Sequence, residues 1–391
     1  MSFTVAPQAE MRPGIIELRW GDPDPILLPT EAIGEAAAWV TGTVGALALN
    51  YGANEGPPVL REALAERILR MEGRAIDVSE IAITSGNSGA LHMLLSHLVE
   101  PGATVFMEDP GYSLAIRSAR DLPLELAGVP FDEGGLDVDA LAAEVARVRA
   151  RGGRPRLVYT VATFHNPTGV SLTAARRRRL VELAVQEDLL IIEDDVYREL
   201  PYDGAAPESL WSIGTQVDGA ADNILRLGTF SKTLAPGLRC GWLTSSAARV
   251  TEFAERGVID SGGCPSQFTS CLCARLIHTG FYDQNVAKVR AEYAARRDAL
   301  VEGLQAEMPA GFEVIRPAGG FFVWVKTPDG VSAKAQMDAA VQHGVSFFDG
   351  TRFCVSGVDR GLRVGFSMYA PRDLREGAAR LGRTFADAAS G

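Results

Sequence analysis

The sequence predicts an α/β protein: a large domain with a mostly parallel, seven-stranded sheet sandwiched by helices, plus a smaller α+β domain at the C-terminal end. Three observations predict it. Short apolar runs recur at 81–84, 104–108, 124–128, 157–161, 189–193, 224–228 and 241–244, and continuously apolar runs read as strands buried on both faces. Between many of them lie helix-length amphipathic stretches, 89–99, 138–150 and 174–187, as parallel crossovers require. Beyond residue 280 the pattern changes to a long Ala-, Arg- and Glu-rich helix over 280–308, then strands at 312–315, 321–325 and 362–366 mixed with helices at 332–343 and 371–388.

Taken in order, the first 30 or so residues hold Pro13, Gly14, Gly21, Pro23, Pro25 and Pro29 and read as an extended arm. Residues 31–41 have helical spacing. A loop with Gly45, Gly52, Gly56 and the Pro57-Pro58 pair leads to a helix over 59–71. The expected division is 1–45 for an arm and helix joining the small domain, 46–285 for the large domain and 286–391 for the small one. The run Arg176–Arg179 lies on a helix and reads as a solvated or oligomer-facing surface.

The 391 residues carry a net charge of −11 and are 47% hydrophobic. That argues against nucleic acid, which needs a basic face. The N-terminus lacks a basic stretch followed by an apolar one, and no unbroken apolar run approaches about 18 residues, so neither a signal peptide nor a membrane partner is expected. Cys240, Cys264, Cys271, Cys273 and Cys354 include no C-x-x-C pair. They read as thiols in a reducing cytoplasm, and the five histidines show no metal-ligand spacing.

In open parallel sheets, ligands bind beyond the carboxyl ends of the strands. The residues that follow these strands are Ser85-Gly86-Asn87-Ser88-Gly89, Asp109-Pro110-Gly111-Tyr112, His165-Asn166-Pro167-Thr168-Gly169, Asp194-Asp195-Val196-Tyr197 and Thr229-Phe230-Ser231-Lys232. The first opens a helix, whose free N–H groups and dipole favour an anion. It is neither a Walker loop, having no Gly-Lys-Ser/Thr, nor a G-x-S-x-G elbow, since position 90 is Ala. Asp194 and Asp195 end a buried strand, where a carboxylate needs a cationic partner; Asp195 suits a helix N-cap and Asp194 a site.

Only four of the 38 Lys and Arg residues are lysines: Lys232, Lys288, Lys326 and Lys334. Lys288 lies on a charged helix, Lys326 before a surface turn and Lys334 in a helix's first turn. Lys232 follows a strand, near Arg239, in the same crevice. A lysine that reacts near neutral pH needs burial or nearby cations to disfavour its charge, and Lys232 fits that best.

These residues, in this order, resemble the fold-type I pyridoxal-phosphate (PLP) enzymes of the class I/II aminotransferase family. The likeness is strongest to 2-aminoadipate and kynurenine aminotransferases and to the effector domains of MocR-type regulators. It runs from about Tyr51 to Arg363 through Tyr51-Gly52, Thr84-Ser85-Gly86, Glu108-Asp109-Pro110-Gly111-Tyr112, His165-Asn166-Pro167-Thr168-Gly169, Glu193-Asp194-Asp195-Val196-Tyr197, Ser231-Lys232, Pro236-Gly237-Leu238-Arg239, Pro317-Ala318-Gly319-Gly320-Phe321-Phe322 and Leu362-Arg363.

The resemblance implies a PLP-dependent transfer of the α-amino group of an amino acid to a 2-oxo acid. Lys232 would form the Schiff base and shuttle the substrate proton. Asp194 would pair with the pyridinium nitrogen, Tyr197 and Asn166 with the ring's phenolic oxygen, and Tyr112 would stack on the ring. Backbone amides and side chains at Gly86, Asn87 and Ser88, together with Thr229, Ser231 and Arg239, would hold the phosphate. Tyr51 would reach the phosphate in a neighbouring subunit, making a homodimer with shared sites. Arg363 with Asn166 would clamp the substrate α-carboxylate, and the arm at Gly21 would pack over the substrate.

Family members usually read Gly-Ser-Gln-Gln where Gly86-Asn87-Ser88-Gly89 stands, Pro at Ala162, and an aliphatic residue and Tyr or Phe at Cys240 and Trp242. These departures bear on substrate choice. Elimination, replacement, cyclisation, decarboxylation or oxidation of an amino acid on the same scaffold is the alternative outcome. A PLP-sensing regulatory module is a more remote one, since only about 40 non-basic residues precede the motifs.

Overall fold

A strand covered on both faces sends alternate side chains into two different cores, and the large sheet of this chain does so. The computed structural model describes residues 8–263, 265–358 and 361–390, so Cys264 lies outside the described residues. In chain order the strands are β1 (Ile16–Glu17), β2 (Ile81–Thr84), β3 (Ala103–Asp109), β4 (Glu125–Asp132), β5 (Gly135–Leu136), β6 (Arg154–Thr160), β7 (Leu190–Asp194), β8 (Ile224–Thr229), β9 (Gly241–Thr244), β10 (Glu313–Ile315), β11 (Phe322–Lys326), β12 (Val345–Ser346), β13 (Phe348–Asp349) and β14 (Leu362–Gly365).

The large sheet has the order β2-β9-β8-β7-β6-β3-β4-β5. β3, β4, β6, β7 and β8 pair in parallel. β9 is antiparallel to both β2 and β8, so β2 runs in the same sense as β8. All seven expected strands are there. The eighth, β5, has two residues and folds back on β4, too short to leave a pattern in the sequence.

Val105, Met107, Leu157, Tyr159, Leu190, Ile192 and Leu225 face one core, and their neighbours Phe106, Val158, Ile191 and Ile224 face the other. Helix Asn87–Leu98 brings Leu91, Leu94, Leu95 and Leu98 to the first. Helices Pro58–Glu72, Val138–Ala150 and Ala174–Gln186 bring Leu60, Leu64, Leu141, Val145, Leu180 and Ala184 to the second. The i, i+3/i+4 spacing of these residues is the apolar stripe a covering helix needs. Asp137 starts helix Val138–Ala150 by accepting from the Asp139 and Ala140 amides.

The C-terminal sheet is antiparallel, β10-β11-β14-β13. The 27-residue helix Phe281–Glu307 joins it to the large sheet. Tyr282 and Val286 pack in the large sheet's second core, whereas Val289, Tyr293, Leu300 and Leu304 pack with β11 and β14. Helix Pro371–Ser390 covers the same small core through Leu374, Ala378, Leu381 and Phe385. The expected helix over 332–343 is a 3₁₀ turn, Lys334–Gln336, running into Met337–Gln342.

The arm is not free. β1 pairs in parallel with β12, and the Gly365 amide donates to the Leu18 carbonyl at 2.6 Å. That course carries Trp20, Gly21 and Asp22 across the edge between the two sheets.

One expectation about the arginine run is overturned. Arg177 is fully buried. Its guanidinium donates to the carbonyls of Leu172, Glu208 and Ala162 and to Thr163 Oγ1, and it lies 3.7 Å from Glu193. A guanidinium has five donors, and here they tie the segment after β6 to its crossover helix. Arg176 and Arg178 pair with Asp132 and Glu182 near the surface.

Candidate active site

The carboxyl ends of β2, β3, β6, β7 and β8 lie along one edge of the sheet, and the arm and the small sheet close over it. Asp194 is the last residue of β7 and is buried. Its Oδ1 accepts from Asn87 Nδ2 at 2.7 Å and its Oδ2 from the Tyr159 hydroxyl at 2.7 Å. Burial raises its pKa, and these two donors act against that rise. The Asn87 side chain is therefore engaged at Asp194, and only its backbone amide remains at the helix N-terminus.

That N-terminus is open. Gly86 precedes helix Asn87–Leu98 with φ 89° and no side-chain cap. Ser88 is exposed. A Cβ on Gly86 would stand 2.4 Å from Arg239 Nη2, so only glycine lets that guanidinium come so close. Arg239 is itself in the left-handed region, φ 48°, and donates to the carbonyls of Pro236 and Ser85. It has no carboxylate partner among the described residues. Beside it, Thr229 Oγ1 donates to Ser231 Oγ at 2.9 Å and accepts from the Ser231 amide at 3.1 Å.

Lys232 Nζ donates to the Gly21 carbonyl at 3.1 Å and lies 5.6 Å from the Phe321 ring centroid. A Cβ on Gly21 would be 2.1 Å from the Phe322 ring, so the close approach of the arm requires glycine. Burial lowers the Lys232 pKa; the Asp22 charge opposes that, and Arg363 acts with it. The other three lysines offer nothing similar. Lys288 and Lys334 are exposed, and Lys326 pairs with Glu133 and Glu313.

Arg363, on β14, is buried. Its Nη1 donates to Asn166 Oδ1 at 2.9 Å and its Nη2 to the Arg19 carbonyl at 2.7 Å, and it lies over the Phe322 ring at 3.9 Å. No carboxylate pairs with it among the described residues, and its buried Nε has no partner. Burial pushes its pKa down to about 10. Tyr197 is buried with its ring 5.4 Å from that of Phe321. Tyr112 has its pKa pushed up to about 12, by burial and then by the Asp194 charge. Tyr51 stands apart: it is 78% exposed, with its ring against Gly262.

The pattern of the class I and II aminotransferase family matches residues 26–381. An aromatic-amino-acid aminotransferase of Thermococcus litoralis is 34% identical over 95% of this chain and 88% of its own length. Among solved structures, a multiple substrate aminotransferase of Thermococcus profundus superposes with TM-score 0.90 at 33% identity, over 97% of this chain and 93% of that one. The α-aminoadipate aminotransferase of Thermus thermophilus, complexed with N-(5'-phosphopyridoxyl)-L-leucine, gives 0.87 at 30% identity over 97% and 94%.

The chain belongs to the class I and II aminotransferases.

It is a fold-type I, PLP-dependent aminotransferase, an enzyme whose relatives work on amino acids and 2-oxo acids. The residues present fit the cofactor. A half-buried amine, a buried carboxylate with two neutral donors, and a helix N-terminus facing a guanidinium with no carboxylate partner supply its three recognisable needs.

Three contributors were not singled out from sequence. Tyr159 sits inside a run that reads as core strand; the signal is a phenol near the end of an otherwise aliphatic strand. Asp22 follows Gly21 on the arm, and its charge is the first to act on Lys232. Phe322 underlies Arg363 and walls in Gly21, which no local pattern reveals. Asp195 is not a helix cap: it pairs with Arg226 at 2.9 Å.

Proposed function

We propose that the crevice binds PLP on Lys232 and uses it to exchange the α-amino group of an amino acid with a 2-oxo acid, each site residue taking the role that its position supports. When bound, the cofactor supplies an electron-withdrawing ring that stabilises negative charge at the substrate carbon. Asp194 holds the ring nitrogen's proton; Asn87 and Tyr159 keep that carboxylate charged and oriented. Gly86, Asn87 and Ser88 offer backbone amides to the phosphate, with Thr229, Ser231 and Arg239. Tyr197 and Asn166 donate to the ring's oxygen, and Tyr112 covers its face. Arg363 binds the substrate α-carboxylate with Asn166 alongside. Lys232, its amine favoured by burial, moves the proton at the substrate carbon. Gly21 and the arm exclude water. A large-domain limit near 285 is supported by the change of packing partner between Val286 and Val289; the expected limit at 45 is not, because Ala36 and Val40 pack in the large sheet's core and only the arm through Ile16, Leu18 and Leu27 joins the small one.

The working unit is a homodimer in the cytoplasm. One helical run, Thr30–Leu49, is long and apolar enough by length and composition to cross a membrane, with mean hydropathy 1.4 and 17% of it buried. It is read as an interface between subunits. It passes from a helix into a π turn at Val40–Val44 and a 3₁₀ turn at Gly45–Leu49, and its inner side, Ala36, Val40 and Ala48, packs into the large sheet's second core. Leu47, Leu49 and Tyr51 are 70–78% exposed on that face, where a second copy would cover them and take Tyr51 towards its own phosphate site.

The observation that carries this reading is the meeting of Lys232, Asp194 and an unpaired, buried Arg363 in one crevice. Lys232→Ala should abolish both the visible absorbance band of the bound cofactor and amino transfer. A variant that kept the band would overturn the assignment.

A further inference from the structure

The chain on either side of Lys232 is held by the helix that leaves the large domain. The turn around the lysine closes on the Phe230 carbonyl, which accepts from the Leu234 amide at 2.8 Å and from the Ala235 amide at 3.2 Å. Tyr282, in the first turn of helix Phe281–Glu307, packs its ring against that of Phe230, with centroids 5.3 Å apart. Its hydroxyl meets Thr233 Oγ1 at 2.7 Å. One helical turn on, Asn285 Nδ2 donates to the Thr233 carbonyl at 2.7 Å. Thr233, Tyr282 and Asn285 are all buried.

The direction of these bonds is fixed by their far end. The Glu199 carboxylate is gripped by Arg67 through Nε at 2.9 Å and Nη2 at 2.7 Å. It also accepts from the Tyr282 hydroxyl at 3.0 Å. With that proton committed, Tyr282 can only accept from Thr233, whose hydroxyl is the donor. The chain Thr233–Tyr282–Glu199–Arg67 is thus satisfied along its length, and a buried network of that kind holds one arrangement. The same helix then packs against β14, which carries Arg363.

We propose that Tyr282 and Asn285 are positioning residues for Lys232: they fix the side chain and the carbonyl of Thr233, and so aim the neighbouring amine at the aldehyde carbon of the cofactor. The bond they favour forms when the amine adds to that carbon and the aldehyde oxygen leaves as water. This rests on Lys232 being the residue that bonds the cofactor.

The test starts from the loaded enzyme and measures how readily pyridoxamine phosphate displaces pyridoxal phosphate, read as loss of the visible band. Pyridoxamine phosphate has an amine in place of the aldehyde and cannot bond to a lysine, so the exchange equilibrium gives the preference that the lysine creates. Thr233→Val removes one hydroxyl at nearly constant shape, and the preference for the aldehyde form should fall about tenfold. Thr233→Ser should restore it. Tyr282→Phe should lower it as well, and adding Thr233→Val to that variant should lower it no further, since both remove the same bond. An unchanged preference, or equal weakening of both cofactor forms, makes the network purely structural and overturns the positioning. Lys232→Ala sets the scale. If it keeps the wild-type preference, the assignment of Lys232 fails and the positioning goes with it; if it abolishes the preference while Thr233→Val keeps it, only the positioning is overturned. If the wild type transfers no amino group yet loses the preference in Thr233→Val, the positioning stands and the transamination reading fails.

Discussion

Two adjacent carboxylates, Asp194 and Asp195, face two regions built on opposite rules. Asp194 looks into the crevice and meets only neutral donors, Asn87 and Tyr159, so burial leaves its pKa raised. Asp195 looks the other way, into a buried network. There Arg226 pairs with Glu72 at 2.7 Å and with Asp195 at 2.9 Å, and Arg198 with the same two at 3.1 and 3.5 Å. Burial would raise Asp195 too, but the charges of Arg198 and Arg226 hold it below its ordinary value. Glu72 is held down in the same way. In that network each carboxylate meets a guanidinium; in the crevice Asp194, Arg239 and Arg363 have no ion-pair partner among the described residues. The first region spends its charges on the fold, and the second keeps them for a ligand.

The largest effect expected from breaking this contrast is on the structural side. Arg226→Met leaves Glu72 and Asp195 without their best partner in a dry interior. Removing one member of a buried pair costs about 3–5 kcal/mol, so the urea midpoint of the cofactor-free protein should fall sharply. A midpoint within experimental error of the wild type would mean that the network is hydrated and the contrast is false.

Arg363→Leu tests the other side, and its signature should be reversed. The guanidinium leaves behind an amide oxygen and a backbone carbonyl but no carboxylate, so the midpoint should move far less than for Arg226→Met. Losing a buried charge partner for the substrate costs about 2–5 kcal/mol of binding, roughly 30- to 5,000-fold in kcat/KM. The comparison collapses if Arg363→Leu unfolds the protein as readily as Arg226→Met does.

How much of this was legible in the sequence depends on whether a signal is local. Strand runs such as 189–193 are local, and so is the Asn87 turn; both were placed where they lie. Lys232 emerged because only four lysines exist and three had surface settings. What could not be read was pairing at a distance. Asp195 looked like a cap because a cap is a local explanation, whereas Arg226 and Arg198 reach it through the tertiary fold. Arg177 sat in a run of four arginines that reads as surface. It turns inward to donate to the carbonyls of Ala162 and Leu172, on the connection from β6 to the next helix, and of Glu208, on the connection after β7. Tyr159 was hidden by its own strand: a phenol among aliphatics packs as core until the partner of its hydroxyl is known.

Tyr159 gives the smallest effect and the sharpest view of the boundary between the two regions. Its hydroxyl is one of the two donors that oppose the burial of Asp194, so Tyr159→Phe should raise the Asp194 pKa further. The sign follows from which form binds. The carboxylate is the form that pairs with a protonated ring nitrogen, so cofactor affinity is present above the Asp194 pKa and lost as pH falls through it. The variant should lose affinity at a higher pH than the wild type. At neutral pH the loss of one hydrogen bond to a charged group, about 1.5–3 kcal/mol, bounds the weakening at roughly 10–150-fold. Equilibrium titration of the cofactor by absorbance, repeated between pH 5 and pH 8 in about unit steps, reads both quantities. Coincident pH profiles for variant and wild type would show that Asn87 alone sets the charge of Asp194. The crevice would then depend on one of the three residues, 87–89, that set this chain's phosphate turn apart.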